Sequence, residues 1–197
     1  QHTKTPGEGT AQQLYRICDE DSIADLEDLL FMRGTGDLAR QGLENINHPD
    51  AHTALLNSLP RVSGDTLVGV IQALGRHRDA DAIRPLRTFV QSGNSEIVEA
   101  SIVALGEIGG AEAAEILGMS RLSVNRSLRD TATAAYLRCG WSSLENGDRD
   151  TALEVFDALL IEVEPIEIRQ EALRGYIRTE LEYAIPLVVE TLKSNNP

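Results

Sequence analysis

The sequence predicts an all-α protein, a right-handed α-solenoid of about six antiparallel helix pairs, and three observations lead there. A two-part amphipathic unit recurs along the chain, at DTLVGVIQALGRHRDADAIRPLRTFV (65–90), SEIVEASIVALGEIGGAEAAEIL (95–117) and EIRQEALRGYIRTELEYAIPLVVETL (167–192). Self-similarity at ~30–45 residues marks stacked helix pairs, because each pair leaves an apolar face that only a neighbouring pair covers. Composition agrees: hydrophobic residues make up 42% of the 197 and aromatics only 4%, a core of Ala, Leu, Ile and Val that suits close helix stacking and disfavours sheets. Apolar residues also recur at helical spacing, as in IADLEDLLFM at 23–32.

The unit at 95–117 looks like a HEAT repeat: its first helix ends in Leu105-Gly106 and its second opens after Gly109-Gly110. Taken in order, the first pair is expected at 11–18 with 22–32, capped by Asp21 or Ser22 and ended by Gly34 and Gly36. The second is expected at 37–46 with 50–59, where Pro49 stops one helix and Asp50 caps the next. The third falls at 65–75 with 80–91, the fourth at 95–108 with 111–122, and the sixth at 166–179 with 181–193. The fifth, from about Leu128 to Glu145 and Asp150 to Glu162, has two longer helices. It resembles a tetratricopeptide pair at about 128–163: Tyr136, Gly140, Ala152 and Phe156 stand at the large, small, small and aromatic positions, and Asn146-Gly147-Asp148 forms the turn. Leu159 and Cys139 depart from that motif, and a lengthened HEAT pair fits the same residues. The domain reading is a flexible segment at 1–9, then one HEAT-like (armadillo-type) domain over 10–197.

Residues 36–86 resemble the repeat region of large HEAT-containing proteins exported by planctomycetes and related bacteria. The resemblance implies an exported or periplasmic location and a neighbouring cytochrome c or carbohydrate-active module, although no Cys-x-x-Cys-His occurs here. It also implies a polypeptide that continues beyond 197.

The charge of -13 excludes a general nucleic-acid binder, since such a surface repels phosphates. Residues 1–60 carry 4 basic and 10 acidic side chains, 61–140 carry 9 of each, and 141–190 carry 4 against 12. No run approaches the ~18–20 apolar residues of a membrane span. Two cysteines, Cys18 and Cys139, make no disulfide framework and are expected to be buried thiols.

Chemical constellations are few. His48, Asp50 and His52 straddle a proline turn without a third strong ligand, so no metal site is expected, and no cofactor motif is present. The chain contains no His-Glu dipeptide, which sets aside HEAT metalloenzymes similar to deoxyhypusine hydroxylase. HEAT-fold DNA glycosylases need a basic, aromatic-lined groove, and Trp141 is the one tryptophan. The carboxylates of DEDSIADLED (19–28) read as a solvated face. Asn125-Arg126-Ser127 fits a glycosylation acceptor pattern. Arg84 and Arg87 share a helix face, with Gln91 beside them, opposite Ile83, Leu86, Phe89 and Val90. These outward residues are the candidate partner-binding set, together with Glu112 and Glu115 of the next repeat, which are equally placed to pair with the arginines. The sequence thus points to a non-catalytic scaffold binding a protein partner or a neighbouring domain of its own polypeptide, on a surface lined by second helices. The alternatives are an accessory solenoid of an exported enzyme and, because HEAT-like repeats also occur there, a bilin lyase-like protein.

Overall fold

A computed structural model describes residues 18–32, 34–161 and 164–194, by backbone alone at 182–184 and 186–194. The chain divides into two compact units, residues 1–104 and 105–197. Every regular element among the described residues is helical, so the all-α class read from the sequence is what the structure shows.

The first unit opens with a 3-10 turn, Glu20–Ser22, held reciprocally at its ends. The Ser22 hydroxyl donates to Asp19 Oδ1 at 3.0 Å and the Asp19 amide donates to Ser22 Oγ at 3.3 Å. Ser22 therefore occupies the cap position of α1 (Ile23–Leu30), but its hydroxyl is turned back toward Asp19. The helix expected at 11–18 lies outside the described residues except for Cys18, which is non-helical and half-buried rather than buried. Gly34, at φ 91°, turns the chain after α1. Gly36 does not end that helix but opens α2 (Gly36–Asn45), because a Cβ there would lie 2.8 Å from the Leu30 carbonyl oxygen. α3 (Pro49–Ser58) is capped by His48 and not by Asp50: His48 Nδ1 accepts from the Asp50 amide at 3.2 Å. Pro49 takes the first helical position, where its missing N–H costs nothing.

α4 (Gly64–Arg76) ends in a Schellman-type turn in which the Asp79 amide reaches the Leu74 carbonyl at 3.1 Å. The left-handed residue of that turn is Arg78, at φ 54°, in a position that glycine fills elsewhere. A 3-10 turn (Ala80–Ala82) leads into the short α5 (Ile83–Phe89), and α6 (Ser95–Ile108) carries its first ten residues in this unit. α1 packs on α2 and α3, and α2 and α3 both pack on α4. The core they enclose is aliphatic, with Leu43, Leu55, Val70, Ile71, Leu74 and Leu86 fully buried. Each such side chain contributes roughly 1.5–3 kcal/mol.

In the second unit, Gly109 and Gly110, at φ 76° and 86°, join α6 to α7 (Ala111–Ser123). The end of the next helix clamps this turn: Ser143 Oγ accepts from the Gly110 amide at 2.8 Å, and Asn146 Nδ2 donates to the Ile108 carbonyl at 3.3 Å. α8 (Arg126–Glu145) is the long helix expected of the fifth pair. It is capped by Asn125, which accepts from the Leu128 amide at 3.2 Å. α9 (Arg149–Ala158), capped by Asp148, is shorter than its expected span. It stops because Leu159 turns inward to full burial, its amide bonded to the Phe156 carbonyl at 3.1 Å.

Tyr136, Cys139, Gly140, Ala152, Phe156 and Leu159 of this pair are all buried, while the turn residues Asn146 and Gly147 are exposed. A Cβ on Gly140 would lie 2.9 Å from both Val155 Cγ1 and Phe156 Cε1, and one on Gly175 would lie 2.5 Å from Phe156 Cε1. The Phe156 ring is thus held between two glycines, Gly140 and Gly175. α10 (Ile166–Ser194) is one continuous helix where the sequence suggests two. Thr179-Glu180-Leu181 contains no breaker, and the Thr179 hydroxyl donates to the Gly175 carbonyl at 2.8 Å instead of ending the ladder. Burial pushes the Cys139 thiol up to about 12, so it stays protonated and unreactive.

Glycines also set how closely successive first helices approach. A Cβ on Gly75 would lie 2.7 Å from Ala104 Cα, within the first unit. One on Gly106 would lie 2.6 Å from the Ala135 carbonyl oxygen, within the second. Both belong to the Leu-Gly that closes a first helix, and both face an alanine 29 residues further on.

Candidate binding groove

The first helices of three pairs each place an acidic residue in their first turn: Asp37 on α2, Asp65 on α4 and Glu96 on α6. Carboxylates at these positions are stabilised by the unsatisfied amides and the helix dipole. Stacking the pairs converts three local preferences into one rim. Between the helices lies a groove of about 530 Å³ lined by these three residues and by Glu99, with Val68, Gly69, Ala100 and Val103 among its other walls. Val103 is 44% exposed there. Gly69 gives the groove its depth, since a Cβ would lie 2.5 Å from Arg40 Nε.

Among the described residues Arg40 is the one cation lining the groove, and it is buried and already compensated. Its guanidinium donates to Asp37 Oδ1 at 3.0 and 2.8 Å and to Glu44 Oε2 at 2.6 Å. Glu44 also accepts from Arg76 Nε at 2.5 Å, and its carbonyl meets His77 Nε2 at 2.9 Å. Asp65, Glu96 and Glu99, by contrast, have no ion-pair partner among the described residues. The basic turn Arg76-His77 therefore ties α4 back to α2.

Arg84 and Arg87 are exposed on α5, while Gln91 lies beyond the helix in the following turn. Opposite them Ile83 and Leu86 are buried, and Phe89 and Val90 only half so. Glu112 is half-buried and Glu115 exposed on α7. The two arginines belong to the first unit and the two glutamates to the second. The groove lies on first helices, not on the second helices favoured by the sequence reading. Its signal in the sequence is the acidic residue just inside each first helix, in Gly36-Asp37, Gly64-Asp65 and Ser95-Glu96.

The acidic run at 19–28 contributes Glu20, Asp21 and Glu27 to a second groove of about 480 Å³, shared with Asp50 of α3. His48 sits between Glu20 and Asp50, 3.6 and 3.7 Å from their carboxylates. The His52 ring lies tilted against His77, centroids 4.3 Å apart and planes at 41°, and its Nε2 is buried without a hydrogen-bond partner among the described residues. No group of three or more His, Cys, Asp or Glu among the described residues is placed to hold a metal. No described helix is long and apolar enough to cross a membrane.

His52 has a pH consequence. Burial first, then the neighbouring His77, hold its imidazole below the ordinary value, with Asp79 opposing. A lowered histidine favours the neutral form in the folded state, so its stabilisation is full above the unfolded value of about 6.5 and is lost as pH falls through the folded value. In an NMR titration the His52 ring should therefore titrate below 6.5. Urea unfolding of the first unit should weaken on acidification more in the native chain than in His52→Gln. A His52 midpoint at or above the ordinary value, or identical pH profiles, would refute this.

Residues 53–137 match the family model for HEAT repeats. Over that span, which takes in α4 to α7 and parts of the flanking helices α3 and α8, the chain is built of HEAT repeats. A crystal structure of an engineered protein aligns with 90% of this chain and 93% of its own at 20% identity and a TM-score of 0.48. Comparison with curated proteins gives no significant match.

Proposed function

We propose that this chain is a non-catalytic protein-interaction scaffold whose docking surface is the groove on α2, α4 and α6. One observation carries the reading: three successive helix pairs place an exposed apolar residue, Val103, beside carboxylates that nothing in the described fold neutralises. Solvated apolar surface and unpaired charge along a groove are what an extended partner covers. HEAT repeats typically act as interaction scaffolds, which supports the same conclusion.

The test begins with random linear peptides selected on the whole chain by phage display. Val103→Trp fills the groove without changing its charge. It should weaken the selected peptides at least tenfold in fluorescence polarisation, whereas the double variant Arg84→Glu/Arg87→Glu should leave them within twofold. Peptides that bind Val103→Trp as tightly as the native chain would move the docking surface elsewhere, and dependence on Arg84 and Arg87 would place it on α5.

A further inference from the structure

We infer that the occupant of this groove is a basic, extended protein segment of about six residues in which Arg or Lys alternates with small apolar side chains. This deepens the scaffold reading and rests on it. Charge sets the class of partner. Among the described residues the groove offers Asp65, Glu96 and Glu99 unpaired, and its single cation, Arg40, is buried and held by both Asp37 and Glu44. Three of the four rim acids have a local reason to be acidic, at helix N-termini. Glu99 does not: it is the fifth residue of α6, beyond the first turn, and it faces the same way as Glu96 three positions earlier. Bringing like charges onto one rim is unfavourable unless a cation relieves them, and an arginine or lysine side chain entering beside Glu96 and Glu99 does so.

Geometry sets the length and pattern. Three stacked helices at ~8–10 Å spacing span roughly 16–20 Å, which an extended chain covers in about six residues at ~3.3 Å each. Alternate side chains of such a segment point to opposite sides. One set then meets the carboxylates while the other lies on Val68, Ala100 and Val103. The second groove is the weaker candidate, because it is lined by α1, α3 and the turn before α1, and His48 already approaches Glu20 and Asp50. A chain of net charge -13 also draws a cationic segment from a distance, so the experiment must separate the groove from the global field.

The probes are three dye-labelled hexapeptides titrated into the whole chain: arginine alternating with valine, and the same peptide with glutamine or glutamate in place of arginine. The arginine peptide should bind at least tenfold tighter than the glutamine peptide. Glu96→Gln/Glu99→Gln should cost it at least tenfold, while Glu20→Gln/Glu27→Gln, an equal change of net charge, should cost less than twofold. Equal losses in the two double variants would overturn the site, leaving only the global field. Equal binding of the arginine and glutamine peptides, both weakened by Val103→Trp, would overturn the basic class and leave the scaffold reading standing. If Val103→Trp weakens none of the peptides, the groove itself fails. Circular dichroism melts of each variant show that the comparison is made on folded protein.

Discussion

Replacing Gly106 with alanine is expected to destabilise the second unit by about 2 kcal/mol, although alanine is the better helix former. In an open helix the exchange would gain about 1 kcal/mol. Here the new Cβ would lie 2.6 Å from the Ala135 carbonyl oxygen and 3.1 Å from Ala135 Cα. Both are backbone atoms of α8, so no side chain can swing aside, and the two helices must separate. Overpacking of this kind costs ~1–3 kcal/mol, with the upper end applying where backbone must move. Gly118→Ala is the matched control, because its Cβ would meet nothing nearer than Tyr136 Cε2 at 3.7 Å. It should stabilise by a few tenths to about 1 kcal/mol. Urea unfolding followed by circular dichroism, with hydrogen exchange of α6 and α8, reads both. A Gly106→Ala protein as stable as the native chain would show that first helices are not in the contact described.

Glu164→Ala should cost about 3 kcal/mol in the same unit. Glu164 precedes α10 and pairs with Arg121 of α7, with the two side chains 13% and 9% exposed. The Arg121 guanidinium also lies over the Tyr136 ring, 5.1 Å from its centroid. Removing the carboxylate leaves a buried cation with only the ring to face, and breaking such a pair costs ~3–5 kcal/mol. The lower end applies because Arg121 keeps its ring contact. Removing both charges at once, in Arg121→Met/Glu164→Leu, should restore most of the loss, since the desolvation of both ions disappears with them. A double variant no more stable than Glu164→Ala would mean that packing, not charge compensation, holds this joint.

Much of the local structure was legible along the chain. The fourth pair begins and ends within a residue of its expected bounds, because Gly109-Gly110 gives an unambiguous stop and start. Gly147 likewise lies in the turn expected at 146–148, to which Asp148 adds the cap of α9. Errors arose where two local signals compete. His48, Pro49 and Asp50 are each able to begin a helix, and which one caps depends on where the imidazole points. The break expected between 179 and 181 rests on analogy with the other repeats alone, and without a breaker the helix runs on.

The groove was less legible. Its acids look like ordinary first-turn residues when each helix is read alone, and Arg40 looks like an ordinary surface arginine. Asp37, Asp65 and Glu96 lie about thirty residues apart, so no window of a few helical turns contains them together. Basic residues crowd positions 76–87, yet Arg76 and His77 are engaged by Glu44, more than thirty positions away.

By itself the sequence determined the all-α class, the positions of most helices and the repeat of the pairs, because these follow from backbone propensity and apolar spacing within a few turns. Only the tertiary structure decided which glycines are obligatory, which ion pair is buried, and which carboxylates are left facing an open groove. Those depend on how closely stacked helices approach, a distance set by side chains far apart in the chain.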